Sequence, residues 1–135
     1  MYQYILLIDD DDDDQFIFLT ALENVAPDCH CNISNNALEA FQYLYARAET
    51  PDMIFLDLNM PLMNGFEFLL ILNGDPRFSL VPVIIFSTSN SPEDLERAKG
   101  LGALQFITKT ADIELLKKDL RFIFNKTGIM ESVIL

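Results

Sequence analysis

Five residues far apart in the chain share one setting, because each stands where a short apolar run gives out. Asp9 and Asp10 follow "YILLI", Asp57 closes "MIFLD", Ser87 closes "VPVIIFS", and Lys109 follows "QFIT". If those runs lie side by side with their ends at one edge, three carboxylates, a hydroxyl and an ammonium converge. Carboxylates held together repel, so at least one must have a raised pKa unless a hard divalent cation, which prefers oxygen ligands, relieves the repulsion. Magnesium suits such a set. It keeps several waters and takes one or two carboxylates plus phosphate oxygens, which leaves an aspartate free to act as a nucleophile on a phosphoryl group. A metal, an ammonium and a hydroxyl together would stabilise the three oxygens of the transferring group. The chemistry these residue types point to is phosphoryl transfer.

The elements that must position them can be read from the pattern around them. Runs rich in Ile, Leu, Val and Phe occur at 4–8, 29–33, 53–57, 82–87 and 104–108, and the clearest are continuously apolar, as strands buried on both faces are. Between them, 15–25, 36–48, 64–73, 93–101 and 112–126 have helical spacing, as in Ala37, Ala40, Phe41, Leu44 and Ala48. Five strand-helix units in alternation predict an α/β, doubly wound parallel sheet with helices on both faces. In such sheets the working site lies at the carboxyl ends of the strands, where the five residues above are found.

Composition narrows the partners. The chain has 135 residues, half of them hydrophobic, and a formal charge of −12, which argues against binding a nucleic-acid backbone. The apolar stretch in "MYQYILLIDD" has no basic segment before it and is too short for a signal peptide or a membrane span, so a cytoplasmic location is expected. In "DCHCNIS", strand alternation sends Cys29 and Cys31 one way and His30 the other, so they do not converge on a metal, and the thiols are expected to be small core residues. Of the six aspartates from Asp9 to Asp14, the first two complete the strand. Asp11 to Asp14 fall on the loop and the first helical turn, where solvated carboxylates favour the helix dipole. An EF-hand register fails, because Asp14 or Gln15 stands where glycine is needed and Thr20 or Ala21 where the bidentate glutamate is needed.

Taken in order, the acidic pair Asp9 and Asp10, "DLNMP" from Asp57 to Pro61 with Gly65 beyond, Ser87, and Phe106 with Lys109 make the chain resemble a response-regulator receiver domain, in particular stand-alone receivers such as the bacterial chemotaxis regulator. The resemblance implies a flavodoxin-like strand order 2-1-3-4-5 and a signalling protein rather than an enzyme. It implies that a histidine kinase or phosphotransfer protein phosphorylates Asp57, and that Asp10, Asp57 and the backbone carbonyl of Asn59 bind magnesium directly, with Asp9 reaching it through water. Lys109 would pair with the acyl phosphate, Ser87 would bond one of its oxygens, and Phe106 would be the aromatic switch, its other reading being an ordinary core aromatic. Output would be contact with a downstream protein target or a passed phosphoryl group. The receiver would span residues 1–128, leaving an apolar tail at 129–135.

One departure and two rivals accompany this reading. Thr110 stands where the family usually has proline, and the Lys109–Thr110 bond is expected to be trans, since a cis bond before a non-proline residue costs about 2.5–4 kcal/mol. A haloacid-dehalogenase-like phosphohydrolase also places an aspartate, a hydroxyl and a lysine at strand ends. Its nucleophile would follow the first strand, however, and its second aspartate pair has no counterpart, Asp112 and Asp119 being isolated. A receiver-like module that docks without being phosphorylated would be favoured by loss of a site residue, and none is lost. On the last helix Ile113, Leu116, Leu120, Ile123 and Phe124 form a core-facing stripe, while Leu115 and Phe122 fall opposite. These two are expected to make a homodimer contact to which Val133, Ile134 and Leu135 of the tail contribute, the alternative being that the tail covers them within one chain.

Overall fold

The structure is a computed structural model that describes residues 3–127. The tail at 129–135, and with it the boundary at residue 128, lies outside the described residues. Five strands alternate with five helices: β1 (Gln3–Ile8), α1 (Asp12–Val25), β2 (Cys29–Ser34), α2 (Ala37–Ala46), β3 (Met53–Leu56), α3 (Gly65–Asn73), β4 (Val83–Ser87), α4 (Pro92–Gly100), β5 (Gln105–Thr108) and α5 (Ile113–Thr127). The strands form one sheet in the order β2-β1-β3-β4-β5, and every pairing is parallel. This is the doubly wound, flavodoxin-like order expected of the family.

The continuous apolar runs have the physical meaning assigned to them. Along β1, Ile5 and Leu7 join the core on one face of the sheet, beneath α1 and α5, whereas Leu6 and Ile8 join the core on the other, beneath α2, α3 and α4. A strand alternating apolar with polar residues could not be covered on both sides. At the edge, Cys29 and Cys31 of β2 pack against the α1 and α5 core, and burial pushes both thiols up to about 12. Both are half-buried at the rim of that core rather than within it, and His30 is exposed. No helix among the described residues is long and apolar enough to cross a membrane.

Most boundaries depart from the sequence reading by one to three residues, α2 ending at Ala46 and leaving Ala48 outside the helix, and two of the departures matter to the site. Helix α1 begins three residues earlier than its apolar pattern, at Asp12, because the Asp11 side chain caps it by accepting from the Asp14 N–H at 3.0 Å. Strand β3 stops at Leu56, so Asp57 is the first residue beyond the strand rather than its last. On α5 the stripe behaves as expected: Leu116, Leu120, Ile123 and Phe124 are buried, while Leu115 is 46% and Phe122 58% exposed.

Candidate functional site

The carboxyl ends of β1, β3, β4 and β5 deliver the residues in question to one edge. The Asp9 N–H donates to the Ser34 carbonyl at 3.0 Å, and the Asp57 N–H donates to the Ile8 carbonyl at 3.0 Å, so both aspartates continue the ladder by one bond and point their side chains over the sheet edge. Ser87 ends β4 fully buried. The Lys109 N–H donates to the Ser87 carbonyl at 2.8 Å, which fixes the start of a side chain whose ammonium passes over the Phe86 ring, 5.5 Å from its centroid.

That ammonium is the centre of the site. Lys109 Nζ lies 2.8 Å from Asp9 Oδ2, 2.8 Å from Asp14 Oδ2 and 3.2 Å from Asp57 Oδ2. The other oxygens of Asp9 and Asp57 are also committed: Asp9 Oδ1 accepts from the Asp11 N–H at 3.0 Å, and Asp57 Oδ1 from the Asn59 N–H at 3.2 Å. Asp10 and Asn59 are exposed at the rim. Ser87 Oγ accepts a long bond, 3.4 Å, from the Ser89 N–H, which ties the β4–α4 loop to the site. Phe106, one strand position before Ile107, points to the other face. It is half-buried against the α4 side of the core and lines a cavity of about 400 Å³ with Leu95, Ala98 and Lys99.

Negative charge exceeds positive in this cluster, but burial is the largest influence on its protonation equilibria. Burial raises Asp9 to about 6 against the opposing pull of Lys109, and burial likewise raises Asp57. Burial alone would lower Lys109, but hydrogen bonds and attraction from Asp14, Asp9 and Asp57 outweigh it and hold the ammonium charged. A divalent cation fits the residues present. Asp9, Asp10 and Asp57 each offer a carboxylate oxygen, and these oxygens lie within 4.8 Å of one another. Asp9 Oδ2, though close to Lys109, is a buried atom with no well-oriented hydrogen-bond donor.

The raised Asp9 pKa has a measurable consequence. Because the folded form holds this proton more tightly than the unfolded form, whose value is near 3.8, folding favours the protonated state between about pH 4 and pH 6. Keeping Asp9 ionised above that window costs about 2–3 kcal/mol. In cation-free buffer the protein is therefore expected to gain thermal stability as pH falls from 7 to 5, and Asp9→Asn is expected to be more stable than wild type at pH 7 with a flatter profile. Equal slopes in the two proteins would contradict this.

Asp9, Asp10, Asp57 and Lys109 are thus brought together, with Ser87 at the neighbouring strand end, and two further residues join them. Asp14 was read as solvated helix-start charge, yet it bonds Lys109, and only Asp11 to Asp13 match that reading. Gln15 donates from Nε2 to the Asp9 carbonyl at 2.7 Å and to Asn35 Oδ1 at 2.9 Å, locking the first turn of α1 to β1 and β2. The Asp14 contact joins the first turn of α1 to the residue after β5, 95 residues away, so topology rather than local pattern was its signal. The Lys109–Thr110 bond is trans, no cis peptide occurring among the described residues.

Comparison with known proteins defines the class. A family model of the response regulator receiver domain matches residues 5–121, and the chain belongs to that family. Protein PilH of Pseudomonas aeruginosa is 40% identical over 73 residues, which are 54% of this chain and 60% of PilH. The phosphorylated cyanobacterial phytochrome response regulator RcpA superposes with a TM-score of 0.85 at 30% identity, over 98% of this chain and 100% of that one. The Mn(2+)-bound form of response regulator Rcp1 superposes with a TM-score of 0.82 at 26% identity, over 98% of each chain. The chain spans 60% of PilH and 12% of RcaC of Microchaete diplosiphon, and 72% of chemotaxis protein CheY1 of Helicobacter pylori.

Proposed function

We propose that the chain acts as the receiver of a two-component response regulator and that its Asp57 accepts a phosphoryl group from a histidine kinase or phosphotransfer protein. The observation that carries this reading is the Lys109 ammonium bonded to Asp57 Oδ2, with the carboxylates of Asp9 and Asp10 beside it. An Asp57 oxygen attacks the phosphorus of a phosphohistidine, the P–N bond breaks, and the departing imidazole leaves with the electron pair and takes a proton. The Asn59 N–H holds one Asp57 oxygen in place, which leaves the carboxylate oriented before the donor arrives. Asp10, Asp57 and the Asn59 carbonyl would hold magnesium directly, with Asp9 acting through water, and the ion would offset the negative charge of the phosphoryl oxygens. Rcp1, a relative, is known in an Mn(2+)-bound form.

Once Asp57 carries the group, Lys109 pairs with it and the Ser87 hydroxyl donates to one of its oxygens. Ser87 then leaves the Ser89 N–H, which frees the β4–α4 loop to shift. Phe106 borders open space on that side and can follow, carrying the signal to a downstream protein target by contact, the phosphoryl group itself being the other possible output. Two free thiols suit the cytoplasm as the place of action. The exposed Leu115 and Phe122 serve a contact between two copies along α5. Sedimentation is expected to give a dimer for wild type and a folded monomer for Leu115→Glu with Phe122→Glu, and a wild-type monomer in both phosphorylation states would remove that contact.

The test of the main reading is cation dependence. Incubation with a small phosphodonor is expected to add one phosphoryl group per chain, seen by intact mass, when magnesium is present and none after chelation. Labelling indifferent to chelation would contradict it.

A further inference from the structure

Asp14 has no role in the reaction described above, yet it makes the shorter of the two hydrogen bonds given by the Lys109 ammonium, 2.8 Å against 3.2 Å to Asp57. It is not aimed there by accident of a flexible chain. Its N–H is capped by Asp11 Oδ1 at 3.0 Å, and Gln15, the next residue, is tied to the Asp9 carbonyl at 2.7 Å, so the turn that carries Asp14 is fixed to the end of β1. The lysine side chain is only 7% exposed and that of Asp14 28%, so the contact is partly shielded from solvent. Asp14 also stands outside the group formed by Asp9, Asp10 and Asp57, whose oxygens lie within 4.8 Å of one another.

An ammonium resting on Asp9 Oδ2 and Asp57 Oδ2 neutralises the oxygens that a divalent cation needs, so Lys109 and the cation compete for them. An ammonium has three N–H donors and no other way to be satisfied in a dry site. A carboxylate beyond the cluster gives it an alternative. We infer that Asp14 is a positioning residue that shares the Lys109 ammonium with Asp9 and Asp57 and takes up more of it when a divalent cation enters, keeping the lysine beside Asp57 without blocking the cation. The inference rests on the cluster being a magnesium site, and it makes Asp14 act through Lys109 rather than on the ion.

Calorimetric titration of the full chain with magnesium chloride tests it. Asp14→Asn is expected to weaken binding on the order of tenfold, since residues in one ion-pair network couple strongly. Asp13→Asn removes the same charge from an exposed position in the same turn and is expected to change binding less than about twofold, the field of an exposed charge being screened. Asp14→Glu, which keeps the charge, is expected to retain most of the affinity. In a Lys109→Ala background the Asp14→Asn effect is expected to disappear. Equal effects of Asp13→Asn and Asp14→Asn, an Asp14→Glu loss as large as that of Asp14→Asn, or an undiminished effect without the lysine would each overturn the inference alone. A wild type that takes up no magnesium would overturn the proposed function and this inference together.

Discussion

Gly65→Ala is expected to destabilise the protein by about 2–3 kcal/mol and to abolish magnesium binding. A Cβ at this position would lie 2.5 Å from the Asp57 carbonyl oxygen and 2.8 Å from Leu58 Cα, and both neighbours are backbone, which cannot rotate away. Alanine would gain up to about 1 kcal/mol of helix propensity over glycine at the start of α3, too little to offset such an overlap. The close approach exists because the Gly65 N–H donates to the Leu58 carbonyl at 2.9 Å, folding the loop from Asp57 back onto the first turn of α3. Asn64 caps that turn reciprocally with Glu67, so the helix cannot easily slide to make room. Relief has to come from Asp57 and Leu58, which moves the carboxylate and the Asn59 N–H that orients it. Denaturant unfolding measures the first effect and calorimetry with magnesium the second. An alanine variant with wild-type affinity would show that the loop is not held by this contact.

Phe18→Ala is expected to cost more, about 3–5 kcal/mol, the usual loss for truncating a fully buried phenylalanine and a large part of the ordinary 5–15 kcal/mol total. Its ring lies 4.8 Å from that of Phe55 and 5.5 Å from that of Phe86, centroid to centroid, so one side chain joins α1 to β3 and β4 directly beneath the site. Phe55 also meets Phe124 of α5 edge-on at 6.4 Å, which makes the cavity difficult to close by a single shift. Denaturant unfolding is the check, and a loss below about 1 kcal/mol would mean that α1 is not coupled to β3 and β4 through this cluster. Because α1 carries Asp14, a loosened helix should also weaken its contact with Lys109.

What could be read before any coordinates were known followed from how strongly each feature is constrained. Continuous apolar runs in β1, β3 and β4 have a single physical solution, burial on both faces, and once the sheet is parallel the residues ending those runs must share an edge. Asp9, Asp57, Ser87 and Lys109 were therefore legible. Asp14 was not, because at the level of pattern an aspartate in the first turn of a helix is fully explained by capping and the helix dipole. Its partner is 95 residues away and becomes a neighbour only because the parallel sheet brings the carboxyl ends of β1 and β5 to one edge. The start of α1 was missed for a related reason: the Asp11 cap sets it, whereas the apolar stripe begins only with the core-facing residues. Phe106 was open between switch and core residue, and its half-burial beside a cavity depends on how α4 sits, which no local spacing determines.

The measurement closest to the central claim is the position of the phosphoryl group itself. Wild type and Asp57→Asn would be treated with a small phosphodonor and magnesium, digested, and mapped by mass spectrometry under conditions that preserve acyl phosphates. The expected result is a single modified site at Asp57, with no incorporation in Asp57→Asn although that variant remains folded. Incorporation at Asp9 or Asp10, or labelling that persists when Asp57 is replaced, would contradict the receiver mechanism and favour a phosphohydrolase whose nucleophile follows the first strand.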